Sequence, residues 1–215
     1  MEINKIFSKI FLWMFIGLMV TFGVAYYIST NDNMVYNLFS GSKYLIVWIA
    51  ELVVVIWFSA RIHKMSSMTA KILFLLYSLL TGLTLSSIFI IYEIGSIVFV
   101  FLITAILFLV MGLIGYFTKI DLTKFGTYLL MILLGIIIAS IINMFIGSET
   151  FSLGLCILGL VVFLGFVAYD IQKIKRMLPM FPNQENLAIY GALELYLDFI
   201  NIFLRLLQLF GNNRD

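Results

Sequence analysis

Long uncharged apolar runs, separated by short polar breaks, dominate the chain. Stretches of this kind fall at residues 10–28, 72–92, 94–118, 125–148 and 150–169. Each is about the 20 residues that a helix needs to cross the hydrocarbon of a bilayer. Two further apolar runs, at 44–60 and 187–210, carry internal charges. The pattern predicts an all-α membrane protein: one domain over residues 1–215, with seven transmembrane helices. The tightest connections, at 93–95 and 147–150, predict hairpin turns between antiparallel helices. The longest internal connection, 177–186, holds both prolines, Pro179 and Pro182, which end one helix and start the next.

Composition agrees with this reading. Of 215 residues, 63% are hydrophobic and 11% charged, with a mean hydropathy of +1.14. A water-soluble domain of this length has too little polar surface to cover so much apolar side chain. The net charge of +2 gives no basis for a nucleic-acid partner. The single cysteine, Cys156, rules out a disulfide framework within the chain and reads as a packing residue. Lys5 and Lys9 precede the first apolar run as they would in a signal peptide, but no small-residue cleavage pattern follows, so the run reads as the first membrane helix.

Basic residues orient the bundle. With the N-terminus inside, one face collects Lys5, Lys9, Arg61, Lys64, Lys71, Lys119, Lys124, Lys173, Lys175 and Arg176, and the other only Lys43 and Arg214. The expectation is a cytoplasmic N-terminus and, with seven spans, a C-terminus outside. Gly17, Thr21 and Ala25 on the first helix and Ser78, Gly82 and Ser86 on the third repeat every four residues. Such stripes let helix backbones approach closely and read as packing surfaces. Trp13, Trp48, Trp57 and several tyrosines serve in part as interfacial anchors.

Charges within the spans are the candidate chemistry. A carboxylate or guanidinium at the bilayer centre costs about 2.5 kcal/mol or more, so it turns inward and usually marks function. The strongly polar residues of the last helix are Glu194, Asp198, Asn201, Arg205 and Gln208. Their spacings of four, three, four and three put them on one stripe, and the helix belongs near the centre of the bundle. An alternative is a self-satisfied Asp198–Arg205 ladder that only fixes packing. Asp170 ends an uncharged run, and the amphiphilic continuation through Leu178 extends the same helix into the cytoplasm. Helix tilt brings Asp170 level with Glu194 or Asp198; a helix-end carboxylate paired with Lys173 is the competing reading. The second helix adds Glu51 near its middle and Arg61 at its inner end, either a partner for Asp170 or a plain positive-inside residue. His63, the only histidine, sits in a basic loop and reads as solvated.

Two carboxylates in close range at low dielectric share a proton. When ionised they offer hard oxygen ligands suited to Ca²⁺. Asp170 and Asp198 would thus make a proton-or-cation switch, too sparse in ligands for a closed cage, which favours passage or weak binding over storage. No tightly bound cofactor is expected.

The segments Ala168-Tyr169-Asp170-Ile171-Gln172-Lys173-Ile174-Lys175 and Gly191-Ala192-Leu193-Glu194-Leu195-Tyr196-Leu197-Asp198-Phe199-Ile200-Asn201 closely resemble the last two helices of the bacterial Bax inhibitor family, also called the transmembrane Bax inhibitor motif family. The segments 11–21 and 82–89 and the ending 206–215 resemble it too. The resemblance implies a seven-helix fold with the outer helices surrounding the last. It implies a pH-sensitive calcium leak channel or transporter of the bacterial inner membrane, with Asp170 and Asp198 as the sensing pair. It also implies an arginine latch, for which Arg61 is the nearest match, with Arg205 as the other candidate counter-ion. Glu51, Glu194 and Asn201 stand as supporting polar residues of the pathway. The partners are then membrane lipid, calcium ions and protons.

Two other readings come with it. The family includes members thought to restrain a membrane-bound protease, so a non-transporting regulator that binds another membrane protein is the alternative function. An intramembrane aspartyl protease also places one aspartate on each of two adjacent helices. Here, however, Leu195-Tyr196-Leu197-Asp198 lacks the glycine-rich turn of those enzymes, and no Pro-Ala-Leu segment occurs. The expectation is a protein without enzymatic activity.

Overall fold

The computed structural model describes residues 3–181 and 183–214. It is all-α: helices α1 (Ile3–Ser29), α2 (Asp32–Phe39), α3 (Lys43–Arg61), α4 (Ser67–Ile91), α5 (Ile94–Phe117), α6 (Thr123–Ile146), α7 (Glu149–Met177) and α8 (Gln184–Phe210), with one 3₁₀ turn at Ile62–Lys64. Seven of them, all but α2, are long and apolar enough to cross a membrane. Each predicted span has its helix, and the amphiphilic tail after Asp170 does continue α7, as far as Met177. Pro182 and the side chain of His63 lie outside what is described.

The helices overrun the apolar runs. α1 starts at Ile3, taking in Lys5 and Lys9, because lysine lays its methylenes along an apolar surface while its ammonium reaches water. The turn between α4 and α5 is two residues, Tyr92 and Glu93. At the end of α6, Gly147 adopts a left-handed φ of +69° and its N–H bonds to the Asn143 carbonyl, a C-cap that glycine takes without Cβ strain. Asn143 then brackets the turn: its Nδ2 donates to the Ser148 carbonyl at 3.1 Å and its Oδ1 accepts from the Ser148 N–H at 3.2 Å.

The short helix α2 is the element that the apolar runs did not announce. Asn31 caps it, accepting from the Met34 N–H at 3.2 Å. Met34, Val35, Leu38 and Phe39 are half-buried along one arc, while Asp32, Asn33, Tyr36 and Asn37 on the other are exposed. This is the residue pattern of helices that lie along a membrane surface.

Two compact units divide the residues. The first holds α1–α4, the α8 residues up to Tyr196 and the chain end from Asn213; the second holds α5, α6, α7 up to Arg176 and α8 from Leu197. In the first, the two small-residue stripes meet. A Cβ on Gly17 would lie 2.7 Å from Phe74 Cζ, and one on Gly82 would lie 2.7 Å from the Thr21 carbonyl oxygen. Lipid tails are as apolar as leucine, so close packing of this kind holds membrane helices together in place of hydrophobic drive. Tyr196 packs edge-on against Phe74 and Tyr77, at 5.9 and 6.0 Å between ring centroids.

In the second unit, Phe199 of α8 packs against Phe101 and Phe108 of α5, at 5.2 and 5.7 Å. Gly115 of α5 meets the backbone of Ala168, and Gly126 of α6 meets the Tyr169 ring. α8 is the most buried span, as expected of the polar-striped helix. Its burial is not confined to the stripe, since Leu193, Leu195, Tyr196, Ile202 and Phe203 are fully covered.

Candidate functional site

The seam between α7 and the second part of α8 carries the two candidate aspartates. Gln208 Nε2 donates to Ser152 Oγ at 3.5 Å, and the Cys156 thiol donates to the Arg205 carbonyl at 3.4 Å. A Cβ on Gly159 would lie 3.0 Å from Arg205 Nε. Rising residue numbers on α7 meet falling ones on α8, so the two helices run antiparallel.

That register locates the acids. Asp198 precedes Arg205 by two helical turns and shares its face, about 10 Å along the axis; Asp170 follows Gly159 by three turns on the same face, about 16 Å along. The two aspartates therefore lie on facing sides of the seam, offset by about one turn. Both are buried, Asp170 at 4% and Asp198 at 5% exposure. Lys173 Nζ stands 3.6 Å from Asp170 Oδ1 and also over the Tyr169 ring, so the helix-end ion pair is present together with deep burial.

The other stripe residues differ among themselves. Arg205 is half-buried against α7, Asn201 Nδ2 donates to the Leu197 carbonyl of its own helix at 2.9 Å, and Gln208 is exposed. Glu194 is half-buried. Arg61 ends α3 and is exposed. Among the described residues no group of three or more His, Cys, Asp or Glu side chains gathers as a metal cage would.

The foot of α7 is clamped by polar contacts that sequence reasoning missed. Gln172 is buried, and both ends of its amide are used: Oε1 accepts from the Leu122 N–H and Nε2 donates to the Ile120 carbonyl, each at 2.8 Å. Lys175 Nζ donates to the Tyr116 carbonyl at 2.7 Å. Arg176 pairs with Asp121 at 2.7 Å and also reaches Thr123 and Gln172. Hydrogen bonds from Thr123, backed by the Arg176 guanidinium, hold the Asp121 carboxyl well below its ordinary range. The connection after α5 is thus tied to α7 directly beyond Asp170. A glutamine two residues after an acid carries no distinctive sequence signal, because its partners are backbone groups some 50 residues away.

A second polar cluster forms around Glu51 in the first unit. Thr81 Oγ1 lies 2.8 Å from Glu51 Oε1 and Thr84 Oγ1 lies 2.9 Å from Oε2. Next to it, Thr21 Oγ1 donates to the Ser78 carbonyl at 2.8 Å and meets the Tyr196 hydroxyl at 2.6 Å. The two threonines stand three residues apart on α4, a spacing that presents both to one neighbour.

The chain is similar in sequence to known proteins. Residues 3–215 match the family described as "Inhibitor of apoptosis-promoting Bax1". An uncharacterized protein of Borreliella burgdorferi is 46% identical, covering 99% of this chain and 94% of its own length. The inner membrane protein YbhL of Escherichia coli K12 is 45% identical, over 96% of this chain and 91% of its own. An uncharacterized protein of Rickettsia prowazekii is 38% identical over 99% of this chain. With its seven apolar helices and a match over nearly its whole length, the chain is a multi-pass membrane protein of the Bax inhibitor family.

Proposed function

We propose that this protein is a pH-sensitive calcium leak channel or transporter, gated by protonation of Asp170 and Asp198. The observation that carries the reading is the burial of both carboxylates on facing sides of the antiparallel α7–α8 seam. In low dielectric two such groups resist full ionisation together, so the pair holds a proton when pH is low and releases it as pH rises. The ionised pair presents hard oxygens that attract Ca²⁺, the transported ion. Lys173 beside Asp170 and Arg205 further along the seam offset that charge and keep cation binding weak, as a leak requires. Arg61 is a further candidate for the counter-ion, and Glu51, Glu194 and Asn201 serve as polar support. The protein acts without a resident cofactor and is not an enzyme.

We place the protein in the bacterial inner membrane, in keeping with the name of the Escherichia coli inner membrane protein YbhL, with the N-terminus cytoplasmic and the C-terminus outside. The test is flux. Purified protein in liposomes loaded with a calcium dye is expected to admit Ca²⁺ at a rate that depends on pH, and Asp198→Asn is expected to flatten that dependence. Absence of calcium flux at every pH would overturn the proposal.

A further inference from the structure

We propose that Glu51 is a reversible proton-binding site in its own right, held between two threonine hydroxyls that turn to fit either charge state. Donor protons and acceptors are unequal in number around it. Thr81 Oγ1 lies within hydrogen-bond distance of two acceptors, Glu51 Oε1 at 2.8 Å and the Tyr77 carbonyl at 3.0 Å. Thr84 Oγ1 likewise lies 2.9 Å from both Glu51 Oε2 and the Thr81 carbonyl. Each threonine hydroxyl has one proton, and the Tyr77 phenol adds a third donor to the carboxylate, so three protons face four acceptors.

With Glu51 ionised, both threonine hydroxyls turn to the carboxylate, one to each oxygen, beside the bond from the Tyr77 phenol. The two backbone carbonyls keep their helical partners and lose only a second contact. With Glu51 protonated, the acid donates its proton to one threonine oxygen, and that hydroxyl turns its own proton to the backbone carbonyl behind it. The other threonine continues to donate to the remaining carboxyl oxygen. Both states are fully bonded at the same heavy-atom positions, and the exchange takes one hydroxyl rotation. A glutamate half-buried on a membrane helix, whose two partners each have an alternative acceptor, is built to change charge without unfolding its surroundings.

Among the described residues, the titratable groups that face Glu51 are the phenols Tyr77 on α4 and Tyr196 on α8. The Tyr77 phenol can donate to the carboxyl in either charge state, so the exchange itself falls to the threonines. Because Thr21 gives its proton to the Ser78 carbonyl, the Tyr196 hydroxyl donates to Thr21. Glu194 precedes Tyr196 by two residues, about 200° around α8, and projects from the other side of that helix. On α3 itself Lys43 and Arg61 are about 12 and 15 Å away along the axis. Asp32 on α2 is exposed, and His63 and Lys64 follow the far end of α3. The Glu51 site is independent of the aspartate pair and requires no calcium.

Infrared titration of the full chain in lipid tests it, in an Asp170→Asn, Asp198→Asn background that removes the two buried aspartates. A carboxylic-acid carbonyl band is expected to rise reversibly as pH falls, and the part of it that Glu51→Gln removes reports this site. Thr84→Val removes a donor to the ionised form and is expected to raise the midpoint by about one pH unit or more; Thr84→Ser restores it. If the aspartate double variant does not fold, ¹³C labelling of glutamate carboxyls in the unsubstituted chain separates glutamate from aspartate bands, with Glu51→Gln again identifying the site. A titration in which Glu51→Gln removes no part of the band, or a midpoint of that part unmoved by Thr84→Val, would overturn the proposal.

Discussion

The Arg205 guanidinium occupies the space that a side chain at position 159 would need: a Cβ on Gly159 would stand 3.0 Å from Nε and 3.2 Å from Cζ. A leucine there has to push a charged group off α7. Overpacking of this kind costs about 1–3 kcal/mol, and Gly159→Leu is expected to lower stability in a lipid nanodisc by that amount. Because Arg205 shares its face with Asp198, the same change is expected to shift the pH at which calcium flux is half-maximal. Gly154, on the same helix, faces open space: a Cβ there would meet nothing within 4 Å. Gly154→Leu is expected to change stability by no more than about 0.5 kcal/mol. Equal effects at the two positions would contradict the packing described.

Gly115 and Gly126 separate two kinds of crowding. A Cβ on Gly115 would lie 2.6 Å from the Cα of Ala168, and backbone cannot yield locally. On Gly126 it would meet the Tyr169 ring, a side chain that can rotate away. Gly115→Ala is therefore expected to cost at least about 3 kcal/mol and Gly126→Ala about 1–2 kcal/mol, measured by thermal unfolding of both variants under one set of conditions.

Gln172 satisfies two backbone groups of the connection after α5. Gln172→Leu fills similar space but leaves the Leu122 N–H and Ile120 carbonyl without it, at about 1–3 kcal/mol for each group that stays buried. The expected readout is faster amide exchange in residues 119–123, with protection elsewhere in α5 and α6 largely kept.

Asp121 gives that connection an acid limit. Its carboxyl is held below the ordinary value of 3.8 by Thr123 first and Arg176 second. A depressed folded-state value stabilises above the unfolded value and loses that contribution as pH falls from about 3.8 toward the folded one. Exchange in residues 119–123, corrected for its intrinsic pH dependence, is expected to accelerate below about pH 4 in the native chain. In Asp121→Asn it is expected to be faster at neutral pH already and to show no such acid step.

Much of the architecture was legible because apolar length is a strong signal in a membrane chain: all seven spans stand where the apolar runs put them, five of those runs uncharged and two with internal charges. α2 escaped because eight residues are too few to span, and its Met34, Val35, Leu38 and Phe39 make an apolar arc rather than a run. The start of α1 escaped because Lys5 and Lys9 interrupt hydropathy without interrupting a helix. The polar stripe of α8 was readable from spacing alone, whereas burial of its opposite side was not, since leucine and phenylalanine look the same toward lipid as toward protein. Glu51 was visible as a charge out of place, but Thr81 and Thr84 were not visible as its partners. Contacts of that kind depend on the register between helices, which no single segment records.

The length of α7 has one more implication. Its 29 residues make a rod of about 43 Å, against a hydrocarbon core of about 30 Å. Measured from Glu149, Asp170 comes about 32 Å along it, close to the thickness of that core. The helix is therefore long enough to cross the hydrocarbon and still carry Lys173, Lys175 and Arg176 beyond it.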